Sequence, residues 1–109
     1  MDLDKETQEK IQELQMLEQN IQGILMQKQA FQLEVNESEN ALSEISKSED
    51  DIFKLVGNIM IKADKKKTEE ELKKRKGLLE LRLKSIEKQE EDISTQIEEL
   101  KTEVMKKIK

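Results

Sequence analysis

The sequence predicts a mainly α fold: a long antiparallel two-helix coiled coil with a β-hairpin at the bend, the hairpin joining an oligomeric β-barrel. Three observations carry the prediction. Two long stretches place apolar residues at alternating spacings of three and four. A short apolar segment between them changes to strand-like composition around Gly57-Asn58. The composition leaves no room for an ordinary core: of 109 residues, 41% are charged and 34% hydrophobic, with two Phe and no Trp, Tyr or Pro. A chain of that kind is either disordered or built from helices with narrow apolar seams. The sustained periodicity, uninterrupted by Pro, selects the helices.

The first helix is predicted over about residues 4–49. Leu14, Ile21, Lys28, Val35 and Leu42 recur every seven residues, and so do Leu3, Lys10, Leu17, Ile24, Phe31, Ser38 and Ile45. The two sets interleave as the a and d positions of a coiled coil. Lys10, Lys28 and Ser38 interrupt the seam, while Ile11 and Leu25 widen the apolar stripe beside it. The second helix is predicted over about residues 69–107. Leu72, Leu79, Ile86, Ile93 and Leu100 form one set; Leu83, Ile97 and Val104 fall four residues after members of it, with Lys76 and Glu90 in the remaining seam positions. Thr68 reads as its N-cap and Glu71 as the N3 partner of a capping box, with Asp64 to Lys67 as the connector.

Between the helices, Ile52-Phe53-Lys54-Leu55-Val56 and Ile59-Met60-Ile61-Lys62-Ala63 are β-rich runs separated by two residues. That spacing, with Gly first, predicts a hairpin over about residues 52–63 with a type II′ or I′ turn. Two helices of similar length joined by so short a hairpin must fold back on each other. One continuous helix in a parallel dimer is the weaker reading, because the middle segment is a poor helix and a good sheet. A lone hairpin is marginal in water, and a two-helix stalk cannot cover both its faces. Ile52, Phe53, Leu55, Val56, Gly57, Asn58, Ile59, Met60, Ile61 and Ala63 are therefore expected to join copies or partner subunits into a closed sheet, which removes the open strand edges. Residues 1–109 are expected to form one such unit.

Charge and composition exclude several function classes. Residues 1–49 carry 11 acids and 4 bases, net −7, which argues against nucleic acid along the arm. The chain has no His and no Cys, so thiol chemistry and a zinc ribbon are out, and no phosphate loop or metal-ligand cluster is visible. An enzyme is not expected, nor is any cofactor or metal. No apolar run has the length of a membrane span, and a cytoplasmic chain is expected.

The plan of helix, single hairpin and helix resembles the prefoldin family, in its archaeal β class. The most specific stretches are Phe53-Lys54-Leu55-Val56-Gly57-Asn58-Ile59-Met60-Ile61 and Leu78-Leu79-Glu80-Leu81-Arg82-Leu83-Lys84-Ser85-Ile86-Glu87-Lys88-Gln89-Glu90; Gln27-Lys28-Gln29 and Asn36-Glu37 also fit. The resemblance implies an ATP-independent holdase chaperone. Two α-class and four β-class subunits would join their hairpins in a double-barrel platform. The coiled-coil tips would capture unfolded proteins and deliver them to a group II chaperonin, which docks at the same ends.

If the tips hold both termini, they comprise about residues 1–26 and 93–109, where apolar residues exceed what a seam needs. Leu3, Ile11, Leu14, Met16, Leu17, Ile24, Leu25, Met26, Ile97, Val104, Met105 and Ile108 are the expected client contacts. Methionine adapts to varied partners. The seam members of this set also zip the coiled coil. A coiled-coil spacer or adaptor without clients is the competing function; it explains the heptads but not the apolar hairpin.

Overall fold

A computed structural model of the chain describes residues 4–108. In chain order the elements are helix α1 (Lys5–Lys47), strand β1 (Ile52–Val56), strand β2 (Ile59–Ala63) and helix α2 (Lys65–Ile108). The two strands form an antiparallel two-stranded sheet. The structure divides into two compact units. One pairs α1 up to Gln29 with α2 from Lys84 onward, and so carries both chain ends; the other runs Ala30–Leu83 and contains the hairpin.

In the unit with the chain ends, Ile86, Ile97 and Val104 of α2 are buried, and Leu14, Leu17, Ile21 and Ile24 of α1 are half-buried. α1 starts where its cap allows. The Asp4 carboxylate accepts the backbone N–H of Thr7 at 2.7 Å, and the Asp4 carbonyl accepts that of Gln8 at 3.1 Å, which satisfies two donors a helix start leaves open. Hydrogen bonding from Thr7, with smaller help from Lys107 and Lys10, holds the Asp4 carboxyl below its ordinary value.

The polar breaks in the seam find each other. Lys28 Nζ meets Glu90 Oε2 at 3.1 Å and Oε1 at 3.4 Å. Lys10 Nζ reaches Glu103 across the seam at 3.1 Å and Glu6 on its own helix at 3.4 Å. The Glu103 hydrogen bond is the main reason the Lys10 ammonium titrates above its ordinary value. These pairs are too exposed to contribute much stability. Their effect is to fix register and direction, since a charged seam position tolerates few alignments.

In the unit Ala30–Leu83, Val35, Leu79 and Leu83 are buried and Phe31, Leu42, Ile45 and Leu72 half-buried. The third seam lysine, Lys76, reaches Glu39 at 3.4 Å. Ser38, the remaining break, is buried. α1 ends at Lys47, two residues before the expected limit. There the Ser48 N–H is shared between the carbonyls of Glu44 and Ile45 at 3.1 and 3.2 Å, a tightened last turn.

The start of α2 corrects the sequence reading. Thr68 is not the N-cap and Lys65-Lys66-Lys67 are not a connector. The helix begins at Lys65, directly after β2, and the Thr68 N–H already donates to the Asp64 carbonyl at 2.9 Å. Asp64 competes well for the cap position, so the strand runs straight into the helix. The cost is three lysines in a first turn that the helix dipole would rather see acidic. Lys65 offsets part of it by donating from Nζ to the Ser48 carbonyl at 2.7 Å, satisfying an acceptor just past the end of α1.

Candidate functional site

The hairpin is built as its sequence dictates. Ile52 pairs with Ala63, Phe53 with Lys62, Lys54 with Ile61, Leu55 with Met60 and Val56 with Ile59. Gly57 has φ +63° and no other described residue takes positive φ, so the first central residue alone is left-handed, as in a type II′ turn. Alternation along the strands puts Ile52, Lys54, Val56, Ile59, Ile61 and Ala63 on one face and Phe53, Leu55, Met60 and Lys62 on the other.

Neither face is covered. The first leans toward the start of α2: Lys54 Nζ meets Glu71 Oε2 at 3.2 Å, and Ile52 and Ala63 are half-buried. Beyond that contact Val56, Ile59 and Ile61 are exposed. On the second face Phe53, Leu55 and Met60 are exposed, Leu55 and Met60 by more than two thirds (69% and 68%). Gly57 and Asn58 are exposed at the turn. Each strand has one neighbour, so each keeps one edge of unpaired backbone groups. Six large apolar side chains and two open edges on ten strand residues leave the sheet uncovered within the chain.

The expected client-contact residues separate by burial. Leu3 lies outside the described residues. Ile97 and Val104 are buried in the seam, and Ile11, Leu14, Leu17, Ile24 and Leu25 are half-buried. Met16 (62%), Met26 (70%), Met105 (53%) and Ile108 are exposed. The unit with the chain ends thus presents a few adaptable apolar side chains around a closed seam. No group of metal-ligating side chains is present among the described residues, and none of their helices is long and apolar enough to cross a membrane.

Three exposed leucines belong to neither set: Leu33 on α1, and Leu78 and Leu81 on α2, all in the unit Ala30–Leu83. The signal that could have found them is heptad position. Each is a large apolar residue away from the a and d positions, in a chain with few apolar residues to spare.

Comparison with known proteins accords with this geometry. The family model described as "Prefoldin subunit" matches residues 8–109. The chain is 38% identical to the prefoldin subunit beta of Methanothrix thermoacetophila over 105 residues, covering 94% of this chain and 88% of the relative. It is 41% identical to that of Thermococcus onnurineus over 90 residues, covering 81% and 78%. The crystal structure of the prefoldin beta subunit from Thermococcus strain KS-1 superposes with a TM-score of 0.88 at 31% identity, covering 96% of this chain and 94% of that one.

Proposed function

The chain belongs to the prefoldin family, in its beta class, and from that premise we propose that it is a subunit of a cytoplasmic, ATP-independent holdase. Membership itself implies a chaperone role and assembly with other prefoldin subunits. The finer reading is a hetero-hexamer of two alpha-class and four beta-class subunits, with the hairpins as the platform. Unfolded clients are held at the unit that carries the chain ends and are passed to a group II chaperonin.

The observation that carries this reading is the hairpin, open and apolar on both faces. A spacer or adaptor gains nothing from six exposed apolar side chains in ten strand residues. A subunit that joins strands from several chains buries them. Client contact falls first on Met16, Leu25, Met26, Met105 and Ile108, which are exposed or half-buried. Leu14, Leu17, Ile24, Ile97 and Val104 serve the seam and become available where helix ends fray. Weak contacts of this kind gain strength when several arms act on one client.

The test uses the chain co-assembled with an alpha-class subunit, in an aggregation-suppression assay without ATP. Deleting residues 1–12 and 102–109 together with Met16→Ser, Leu25→Ser and Met26→Ser abolishes suppression and leaves the mass of the assembly at that of the truncated subunits. Suppression at the full-length level in the truncated assembly would place client binding elsewhere.

A further inference from the structure

We propose that the unit Ala30–Leu83 carries the two halves of a side-by-side contact between copies of this chain: the outer face of α1 at Leu33 and Glu37 docks on the outer face of α2 at Leu78 and Leu81 of a second copy. The inference rests on the hairpin-driven assembly proposed above, which brings neighbouring subunits together at their hairpins.

Isolated exposed apolar residues on a protein surface need no explanation. These three differ in position, in level and in surroundings. Leu78 and Leu81 are three apart, so they adjoin on one helix face, 61% and 65% exposed. Leu33 is 58% exposed on the other helix. The Lys76–Glu39 pair sets the alignment of the helices here. Counting six residues onward from Lys76 and six back from Glu39 places Arg82, and with it Leu81, level with Leu33. Glu37 is level with Leu78 on the same count. Two copies set side by side at equal height therefore bring the α1 leucine of one against the α2 leucines of the next.

The surroundings are opposite in charge. Lys74 and Arg82 lie one helical turn either side of Leu78, and Glu37 lies one turn from Leu33; Glu34 and Arg75 line the groove between the two helices. Across the unit, α1 from Ala30 to Lys47 carries 4 acids and 1 base, and α2 from Lys65 to Leu83 carries 8 bases and 4 acids. Among the described residues, Glu37, Lys74 and Arg82 have no ion pair. An acidic apolar face and a basic apolar face on one molecule fit a second copy head to tail, and not face to like face, where equal charges would meet. Glu37 of one copy then lies within a turn of both Lys74 and Arg82 of the next.

The absence of cysteine makes the geometry directly testable in the full-length chain. Leu33→Cys and Leu81→Cys are prepared separately, mixed, assembled and oxidised. The mixed Leu33→Cys/Leu81→Cys cross-link is expected to exceed either like-with-like product at least tenfold. Equal or dominant like-with-like products overturn the head-to-tail contact, and the absence of any disulfide between two copies of this chain overturns the second copy as occupant. In sedimentation, Glu37→Lys is expected to raise the concentration at which the assembly dissociates about tenfold, and Glu37→Lys with Lys74→Glu to restore it. If Glu37→Lys has no effect while Leu55→Asp in the hairpin abolishes assembly, this inference fails and the platform reading stands. If Leu55→Asp leaves assembly intact, the platform reading itself fails.

Discussion

The helix seam and the hairpin are both apolar, yet one is closed within the chain and the other is open. In the seam, Val35, Leu79, Leu83, Ile86, Ile97 and Val104 are buried by a second helix of the same molecule. In the hairpin, Leu55, Ile59 and Met60 carry comparable apolar surface and stay exposed. The difference follows from geometry. A helix with one narrow stripe needs one partner, and an antiparallel return supplies it. A two-stranded sheet that is apolar on both faces needs cover on two sides and along two edges, and a chain of this length has only its own helix start to offer. The helices close on each other; the hairpin stays open within the chain.

The sharpest way to break that comparison is at the open face. Leu55→Asp with Met60→Asp, a directly paired couple, is expected to abolish assembly in sedimentation while leaving the helical circular dichroism unchanged. Retention of the full mass would remove the hairpin as the platform.

The converse substitution acts on the closed seam. Leu79→Ala is expected to cost roughly 2–3 kcal/mol, at the low end for a buried leucine because a two-helix seam can partly close on the gap. The readout is the unfolding midpoint at fixed protein concentration. A loss under about 0.5 kcal/mol would mean that the seam at Leu79 is less tightly packed than its burial indicates.

The smallest effect is at the cap of α1. Asp4 has a folded-state value below its ordinary 3.8, so its contribution is complete above 3.8 and is lost as pH falls through the lowered folded value. Amide exchange at Thr7 and Gln8 should therefore quicken at that lower pH, and at neutral pH in Asp4→Ala, with the rest of α1 unchanged. Protection at Thr7 that persists in Asp4→Ala would assign the start of the helix to other contacts.

Much of this was legible in the residues. The heptads of Leu14 to Ile45 and of Leu72 to Val104 gave both helices to within a few residues, and Gly57-Asn58 gave the hairpin and its turn. The start of α2 was misread because the capping-box pattern at Thr68 and Glu71 is local. Whether it is used depends on where β2 ends, and Ala63 leads into Asp64 with no residue to spare. The pairing of Lys28 with Glu90 could not be read either. Each looked like a defect in its own seam, and only the antiparallel alignment shows that they meet. The exposed Leu33, Leu78 and Leu81 lie outside both heptad sets, so a reading of the seam assigned them no place.

The Lys28–Glu90 pair has a consequence for how the chain reaches its fold. Heptad repeats are nearly self-similar, so two such helices could zip together one repeat out of step with little loss of apolar contact. A slip of one heptad in one direction would set Lys28 beside Ile97; in the other, it would set Glu90 beside Ile21. Either mistake strands a charge against an aliphatic neighbour with no counter-ion, while correct threading joins the two charges. The pair adds little to the finished structure, but it disfavours mis-threaded intermediates and lets the two helices find one alignment out of several almost equivalent ones.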